Sequence, residues 1–167
     1  MAQPVAATLA QIEFAPICTV YLRYAQPPRL PQPIYALHTQ PDNGHFGPWV
    51  FDRRQTNPNC AGVLSVVISG AGAHQALTAC GLAALVAQQM IATFGLPAPA
   101  GSAVIPEKRA TIVPRRGLVH PPPRVSADGL NLAGDAGSPF PSTLEGSVRA
   151  GLAAAQALCA ACGFTRV

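Results

Sequence analysis

The sequence predicts an α+β fold, in which an antiparallel or mixed sheet packs with one mid-chain helix and is followed by a closing strand and a C-terminal helix. Three observations favour this class. Short apolar segments separated by Pro- and Gly-rich turns fill the first half of the chain, residues 76–94 form an uninterrupted helical run, and residues 144–162 repeat apolar side chains at three-and-four spacing. With 167 residues, the chain is long enough to bury a core.

Strands account for most of the first half. Residues 17–24 alternate, with Cys18, Val20 and Leu22 on one face and polar or aromatic side chains on the other, which is the period of a half-buried strand. The Asn43-Gly44 pair predicts a turn between two strands. Further strands are predicted at residues 34–38, 49–53, 62–69 and 103–113.

The helices have clear boundaries. The mid-chain helix, 76–94, is followed by Gly95 and Pro97, which are typical stop signals. Beyond it we predict a Pro- and Arg-rich loop over 114–129, a short strand over 130–133 and a last helix. The last helix is expected to bury one stripe formed by its larger apolar positions, namely Leu144, Val148, Leu152, Ala155, Leu158, Cys159 and Cys162.

Composition excludes several classes of function. The net charge of +4 comes from dispersed arginines without interleaved aromatic residues, so nucleic-acid binding is not expected. The four histidines show no metal-ligand spacing, and we predict no metal. Only 11% of residues are charged, against about 25% in typical proteins. A partner, a further domain or an apolar ligand is therefore expected to cover part of the surface.

Residues 130–152 carry the most specific pattern. Gly134-Asp135 follows a short apolar strand, so the carboxylate can accept hydrogen bonds from ligand hydroxyls at a place where glycine permits close approach. Pro141-Ser142-Thr143 then supplies a fixed φ and an N-cap hydroxyl, and Leu144 and Glu145 begin the helix. An ordinary capped helix would look similar, but the whole pattern favours contact with a flat, electron-rich ligand at the helix N-terminus.

The run Gly-Asp, several residues, Pro-Ser-Thr-Leu-Glu-Gly resembles the flavin-contacting motif of the FAD-dependent amine oxidase and phytoene desaturase superfamily. The segments 15–24, 47–53 and 104–111 are similar to one subfamily, the squalene-associated FAD-dependent desaturases or hydroxysqualene dehydroxylases of hopanoid synthesis. This resemblance spans nearly the whole chain. Two positions depart from the motif, because Ala136 stands where a bulky residue is common and Ser147 replaces the usual Ala.

The resemblance implies a division into three parts. Residues 13–113 would form the sheet of a substrate-binding domain, 114–129 a linker, and 130–163 the last strand, loop and helix of an FAD-binding domain. The Gly-rich dinucleotide fold that opens these proteins is absent from this sequence, so an N-terminal FAD-binding half is an expected partner. The chain alone is then expected to be inactive and not to retain FAD.

The resemblance also implies roles for particular residues. Gly134 and Asp135 would contact the ribityl and pyrophosphate part of FAD, and Ser142, Thr143, Leu144 and Glu145 would line the pyrimidine edge of the isoalloxazine. Pro141 would belong to the same cofactor-binding loop. Lys108, the single lysine, is a candidate catalytic cation, although a solvated strand lysine is the simpler interpretation. Tyr21, Trp49 and Phe51 could line a channel for an isoprenoid, or could pack within the sheet.

The function implied is the reductive dehydroxylation of hydroxysqualene to squalene by a cytoplasmic enzyme, with peripheral attachment to the inner membrane left open because the substrate is a lipid. A non-catalytic lipid-binding or partner subunit remains an alternative. So does another flavoenzyme, an amine oxidase or a phytoene desaturase. We also expect self-association through an exposed apolar face or by strand addition at a sheet edge.

Overall fold

The computed structural model of the chain describes residues 3–121, 124–125, 130–137 and 140–163. These residues fall into two units. One unit is Ala15–Ala110, and the other contains the described residues of Met1–Phe14 and Thr111–Val167. The two units are described separately below.

A five-stranded antiparallel sheet is the main element of the first unit, which confirms the predicted α+β class. Its strands are β1 (Phe14–Arg23), β2 (Ile34–Ala36), β3 (Trp49–Asp52), β4 (Val63–Ser69) and β5 (Gly101–Ile112). They lie in the order β2-β3-β4-β1-β5, so that β2 and β5 are the edges. Pro106 lies within the edge strand β5, where a missing N–H is tolerated.

The core lies on one face of this sheet. Val66 of β4 is paired with Val20 on one side and with Val50 on the other, and all three side chains are fully buried. The alternation predicted for the first strand is confirmed, because Cys18, Val20 and Leu22 are buried. Helix α2 (Ala79–Phe94) packs against the same core through its buried apolar side chains, Leu82, Val86 and Met90.

The ends of α2 follow from local chemistry. Thr78 is the N-cap, and its Oγ1 accepts a hydrogen bond from the N–H of Gly81 at 3.1 Å. The helix therefore begins at Ala79 rather than at the predicted residue 76, and a 3₁₀ turn, Ala73–Ala76, precedes it. Gly95 ends the helix in the left-handed conformation at φ +65°, as its position predicts.

The second unit contains helix α1 (Gln3–Ala10), strands β6 (Arg124–Val125) and β7 (Leu130–Asn131), and helix α3 (Leu144–Ala161). The two strands pair in antiparallel fashion. Strand β6 falls within the predicted loop 114–129, and β7 is shorter than the predicted strand 130–133. Two residues are too few for an alternation of apolar and polar side chains to be recognised.

The face of α3 that is buried differs from the predicted one. Gly146, Ala150 and Ala154 are buried, whereas the predicted stripe faces outward, with Leu144 88% exposed and Leu152 59% exposed. Ala155, Cys159 and Cys162 are exposed as well. The prediction was wrong because it weighted side-chain size, whereas α3 packs through a face of small residues that lets its backbone approach its neighbours closely.

Candidate functional site

The Gly134-Asp135 corner forms a tight turn in the second unit. Gly134 has φ +92°, a conformation that favours glycine, and the space where a side chain would begin is open. A short 3₁₀ turn, Asp135–Gly137, follows. The Asp135 side chain is half-buried, and its carboxylate has no hydrogen-bond or ion-pair partner among the described residues. It is therefore available to accept hydrogen bonds from a ligand.

The N-terminus of α3 is capped as the sequence predicts. Thr143 Oγ1 accepts a hydrogen bond from the N–H of Gly146 at 3.1 Å and donates one to the carbonyl oxygen of Pro141 at 3.2 Å. The cap satisfies one of the donors of the first turn. Within the described part of the chain, the N–H groups of Leu144 and Glu145 have no acceptor, so they and the helix dipole favour an electron-rich group at this end.

The 3₁₀ turn that contains Asp135 lies next to helix α3. Helix α3 contacts both the 3₁₀ turn Asp135–Gly137 and strand β7. On α3 the buried residues are small, Gly146 and Ala150 being nearest the N-terminus. The structure therefore places the carboxylate-bearing turn against helix α3.

The Glu145 side chain is engaged in an ion pair. Its Oε1 accepts a hydrogen bond from Nε of Arg149 at 2.6 Å, one helical turn later. The Arg149 guanidinium also lies over the Phe140 ring, 4.9 Å from its centre. Both charged side chains are exposed, so the pair contributes little to stability.

A cleft of about 380 Å³ opens beside the predicted flavin-contacting loop. Pro141 and Ser142 form part of its wall, and Arg115 and His120 from the predicted linker form another part. Arg115 is also paired with the exposed Glu13. The cleft offers hydroxyl, imidazole and guanidinium groups, which suit an anionic or hydroxyl-rich ligand.

His120 joins the linker to the Gly134-Asp135 corner. Its Nδ1 lies 3.2 Å from the carbonyl oxygen of Ala136 and, since a carbonyl can only accept, this nitrogen carries the proton. Sequence reasoning missed both His120 and Arg115. Their range was interpreted as a loop, and a contact across 16 residues leaves no periodic signal.

The three candidate substrate residues share a face of the sheet in the first unit. Tyr21 and Phe51 both pair with Ser65, one from each side, and Trp49 lies two residues before Phe51. Because directly paired residues and alternate residues point to the same side, all three lie on the face opposite the core. Ser65 is only 3% exposed between its two aromatic neighbours.

The part of this open sheet face that is defined by Tyr21, Ile34, Trp49 and Phe51 is apolar, and the exposed Arg23 lies two residues beyond Tyr21 on the same face. Ile34 pairs with Phe51 and is 51% exposed, and Trp49 is 45% exposed. Helix α2 packs on the other side of the sheet. A contiguous apolar surface of this kind marks a binding surface for a ligand or partner more often than isolated exposed side chains do.

Lys108 belongs to the first unit and is exposed on β5. It lines a separate cleft, together with His74 of the 3₁₀ turn before α2. Among the described residues, no ion pair involves its ammonium group.

No known protein family matches the chain, and no curated protein is significantly similar to it in sequence. In the part of the chain that the structure describes, no group of three or more His, Cys, Asp or Glu side chains could hold a metal ion. None of the described helices has the length and apolar character needed to cross a membrane.

Proposed function

We propose that the chain forms the flavin-contacting and substrate-binding part of an FAD-dependent oxidoreductase that acts on a squalene-type isoprenoid. The reaction implied by the motif is the reductive dehydroxylation of hydroxysqualene to squalene. The observation that carries the proposal is the contact between the turn of Asp135 and helix α3, whose N-terminus is capped by Thr143. A cytoplasmic location with access to membrane lipid belongs to the same proposal.

The residues present fit a flavin. The unpartnered carboxylate of Asp135 suits the hydroxyl groups of a ribityl chain. The N–H groups of Leu144 and Glu145 suit the electron-rich pyrimidine edge of the isoalloxazine, since a helix N-terminus stabilises negative charge. The open space beside Gly134 leaves room for the chain that joins them. When bound, FAD would supply the two-electron transfer of the reaction.

The open sheet face supports an isoprenoid as the substrate. Tyr21, Trp49 and Phe51 present ring surfaces on one face, and Ile34 extends that surface toward the sheet edge. An extended hydrocarbon gains about 25 cal/mol for each Å² of apolar surface removed from water. The same observation also favours the second candidate function, a non-catalytic subunit that binds an apolar lipid without flavin.

Flavin contact can be mapped on the backbone amides. We would titrate the ¹⁵N-labelled chain with FMN, which carries the isoalloxazine and the ribityl phosphate and dissolves at millimolar concentration. The proposal predicts saturable shifts confined to the amides of Gly134, Asp135 and residues 142–146. Binding is expected to be weak, because these residues contact only one edge of the flavin.

One test variant and one control variant show whether the shifts depend on Asp135. Asp135→Asn should reduce the shifts, whereas Asp42→Asn, which changes an exposed aspartate in the first turn of another 3₁₀ helix, should leave them unchanged. Shifts that are absent, or that appear only on the open sheet face, would overturn flavin contact and favour the lipid-binding alternative.

A further inference from the structure

A second cleft lies in the Ala15–Ala110 unit, with a volume of about 280 Å³. Residues of β1, β5, the 3₁₀ turn before α2 and the start of α2 line it, and we call it the β5 cleft. Its wall is mainly apolar, with Ile17, Leu77, Leu82 and Val104 contributing side chains. Ligand sites usually combine such apolar walls with a few polar groups that fix the orientation of the ligand.

A single cation borders the β5 cleft. Val104, Pro106 and Lys108 are alternate residues of β5, and all three line it. The ammonium group of Lys108 has no carboxylate partner among the described residues. Glu107 also borders the cleft, but its Oε1 accepts a hydrogen bond from the backbone N–H of Arg109 at 2.9 Å. One oxygen of the Glu107 carboxylate is therefore already hydrogen-bonded to the backbone of β5.

The interior of the cleft is uncharged. His74 and Cys18 both line it and both are buried. Burial lowers the pKa of His74 and raises the pKa of the Cys18 thiol, so both side chains are neutral near pH 7. The cleft therefore has an apolar, neutral interior and a cationic group on exposed β5.

We propose that the β5 cleft binds a small amphipathic carboxylate, with its hydrocarbon against Ile17, Leu82 and Val104 and its carboxylate at Lys108. The volume lies just below the range of about 300–1,000 Å³ that holds drug-sized ligands, so the hydrocarbon is short. Lys108 is the one cation of the lining, and the Glu107 carboxylate beside it disfavours a ligand with more than one negative charge. This site is independent of the proposed flavin contact, and either can fail without the other.

Octanoate is a suitable probe, with acetate and octylamine as matched ligands. Acetate keeps the charge without the hydrocarbon, and octylamine keeps the hydrocarbon with the opposite charge. Lys108 is the only lysine of the chain, so reductive methylation with ¹³C-formaldehyde gives one side-chain resonance beside that of the N-terminus. Octanoate should shift the Lys108 signal saturably and leave the N-terminal signal in place, whereas the other two ligands should not.

Two variants test the role of the charge by following the amide resonances of the cleft. Lys108→Met should weaken octanoate binding about tenfold, because it removes a charge-assisted hydrogen bond. Arg109→Met removes the same charge from the neighbouring position on β5 and should leave binding unchanged. Absence of saturable octanoate binding, or octylamine binding as tight as octanoate, would overturn the proposal.

Discussion

The side-chain amide of Gln89 makes two hydrogen bonds with the backbone of Gly47. The N–H of Gly47 donates to Oε1 at 2.9 Å, and Nε2 donates to the carbonyl oxygen of Gly47 at 3.0 Å. Gln89 is 1% exposed on α2, and Gly47 lies two residues before β3. This pair fixes the helix to the sheet and so supports the side of the sheet opposite the open sheet face.

Removing this pair should destabilise the fold. Gln89→Leu leaves two buried backbone groups of Gly47 without partners, which is expected to lower the free energy of unfolding by about 2–4 kcal/mol. The control is Gln88→Leu, which changes an exposed glutamine on the same helix and should alter stability little. Urea unfolding measures both, and equal effects of the two variants would contradict the account.

Gly47→Ala should also destabilise the fold, for a different reason. A Cβ atom at this position would lie 2.3 Å from Cγ1 of the buried Val66, so that either the backbone or β4 has to move. Forcing extra volume into a packed core typically costs about 1–3 kcal/mol. Gly151→Ala on α3, where a Cβ meets nothing within 4 Å, is the matched control in the same urea assay.

We predict that the folded chain loses stability at alkaline pH because of the Tyr24 hydroxyl group. It is buried without a hydrogen-bond partner among the described residues, and burial raises the pKa of Tyr24 to about 12. Between pH 10 and about 12 the unfolded chain loses this proton while the folded chain keeps it, so stability falls as the pH rises. The total loss is on the order of 2 kcal/mol.

Tyr24→Phe should remove this part of the pH dependence and should be neutral or stabilising at pH 7, because no hydrogen bond is lost. Tyr35→Phe is the control, since the Tyr35 hydroxyl accepts a hydrogen bond from the N–H of Gln32 at 2.9 Å. The melting temperatures of both variants and of the wild-type chain would be compared at pH 7, 10 and 11. An unchanged alkaline slope in Tyr24→Phe would show that this hydroxyl is not the cause.

We predict that the fluorescence of Trp49 changes when an isoprenoid binds to the open sheet face. Trp49 is the only tryptophan, so its emission reports on this face alone. Farnesol should shift the emission to shorter wavelength as water is displaced. Ile34→Lys should weaken this response about tenfold, because it replaces an apolar side chain that would contact the isoprenoid with a charged one. The same substitution at Ile91, which is exposed on α2, should not weaken it.

The apolar stripe of α3, formed by Leu144, Val148, Leu152 and Leu158, predicts self-association. These side chains are exposed in the chain as described, and association would remove them from water. Leu152→Lys should shift the chain toward the monomer in sedimentation velocity. Ala153→Lys adds the same charge at an exposed position outside the stripe and should not. A wild-type chain that stays monomeric at high concentration would contradict this prediction.

Local chemistry and alternation were sufficient to predict much of the fold. The Thr143 cap and the Gly95 stop depend on a few neighbouring residues, and the burial of Val20 follows from period-two alternation. The buried face of α3 could not be found in this way, because glycine and alanine carry a weak hydrophobic signal. The predicted stripe was apolar but exposed.

The candidate site, like the fold, could be read from the sequence only where neighbouring residues form it. Gly134 and Asp135 follow one another in the chain, so the corner is visible in the sequence. The contact between His120 and Ala136 depends on how the linker folds back, and nothing in the local sequence specifies that path. Tyr21 and Phe51 share a face of the sheet because both pair with Ser65. That register between strands is set when the sheet forms and cannot be read from the sequence of either strand.

The most direct test of flavin contact is the ratio of FMN dissociation constants between Asp135→Asn and the wild-type chain. The account predicts a ratio of about ten, because the substitution removes the charge that strengthens hydrogen bonds from the ribityl hydroxyls. Asp42→Asn should give a ratio near one. Equal affinity of Asp135→Asn and the wild type would contradict the account.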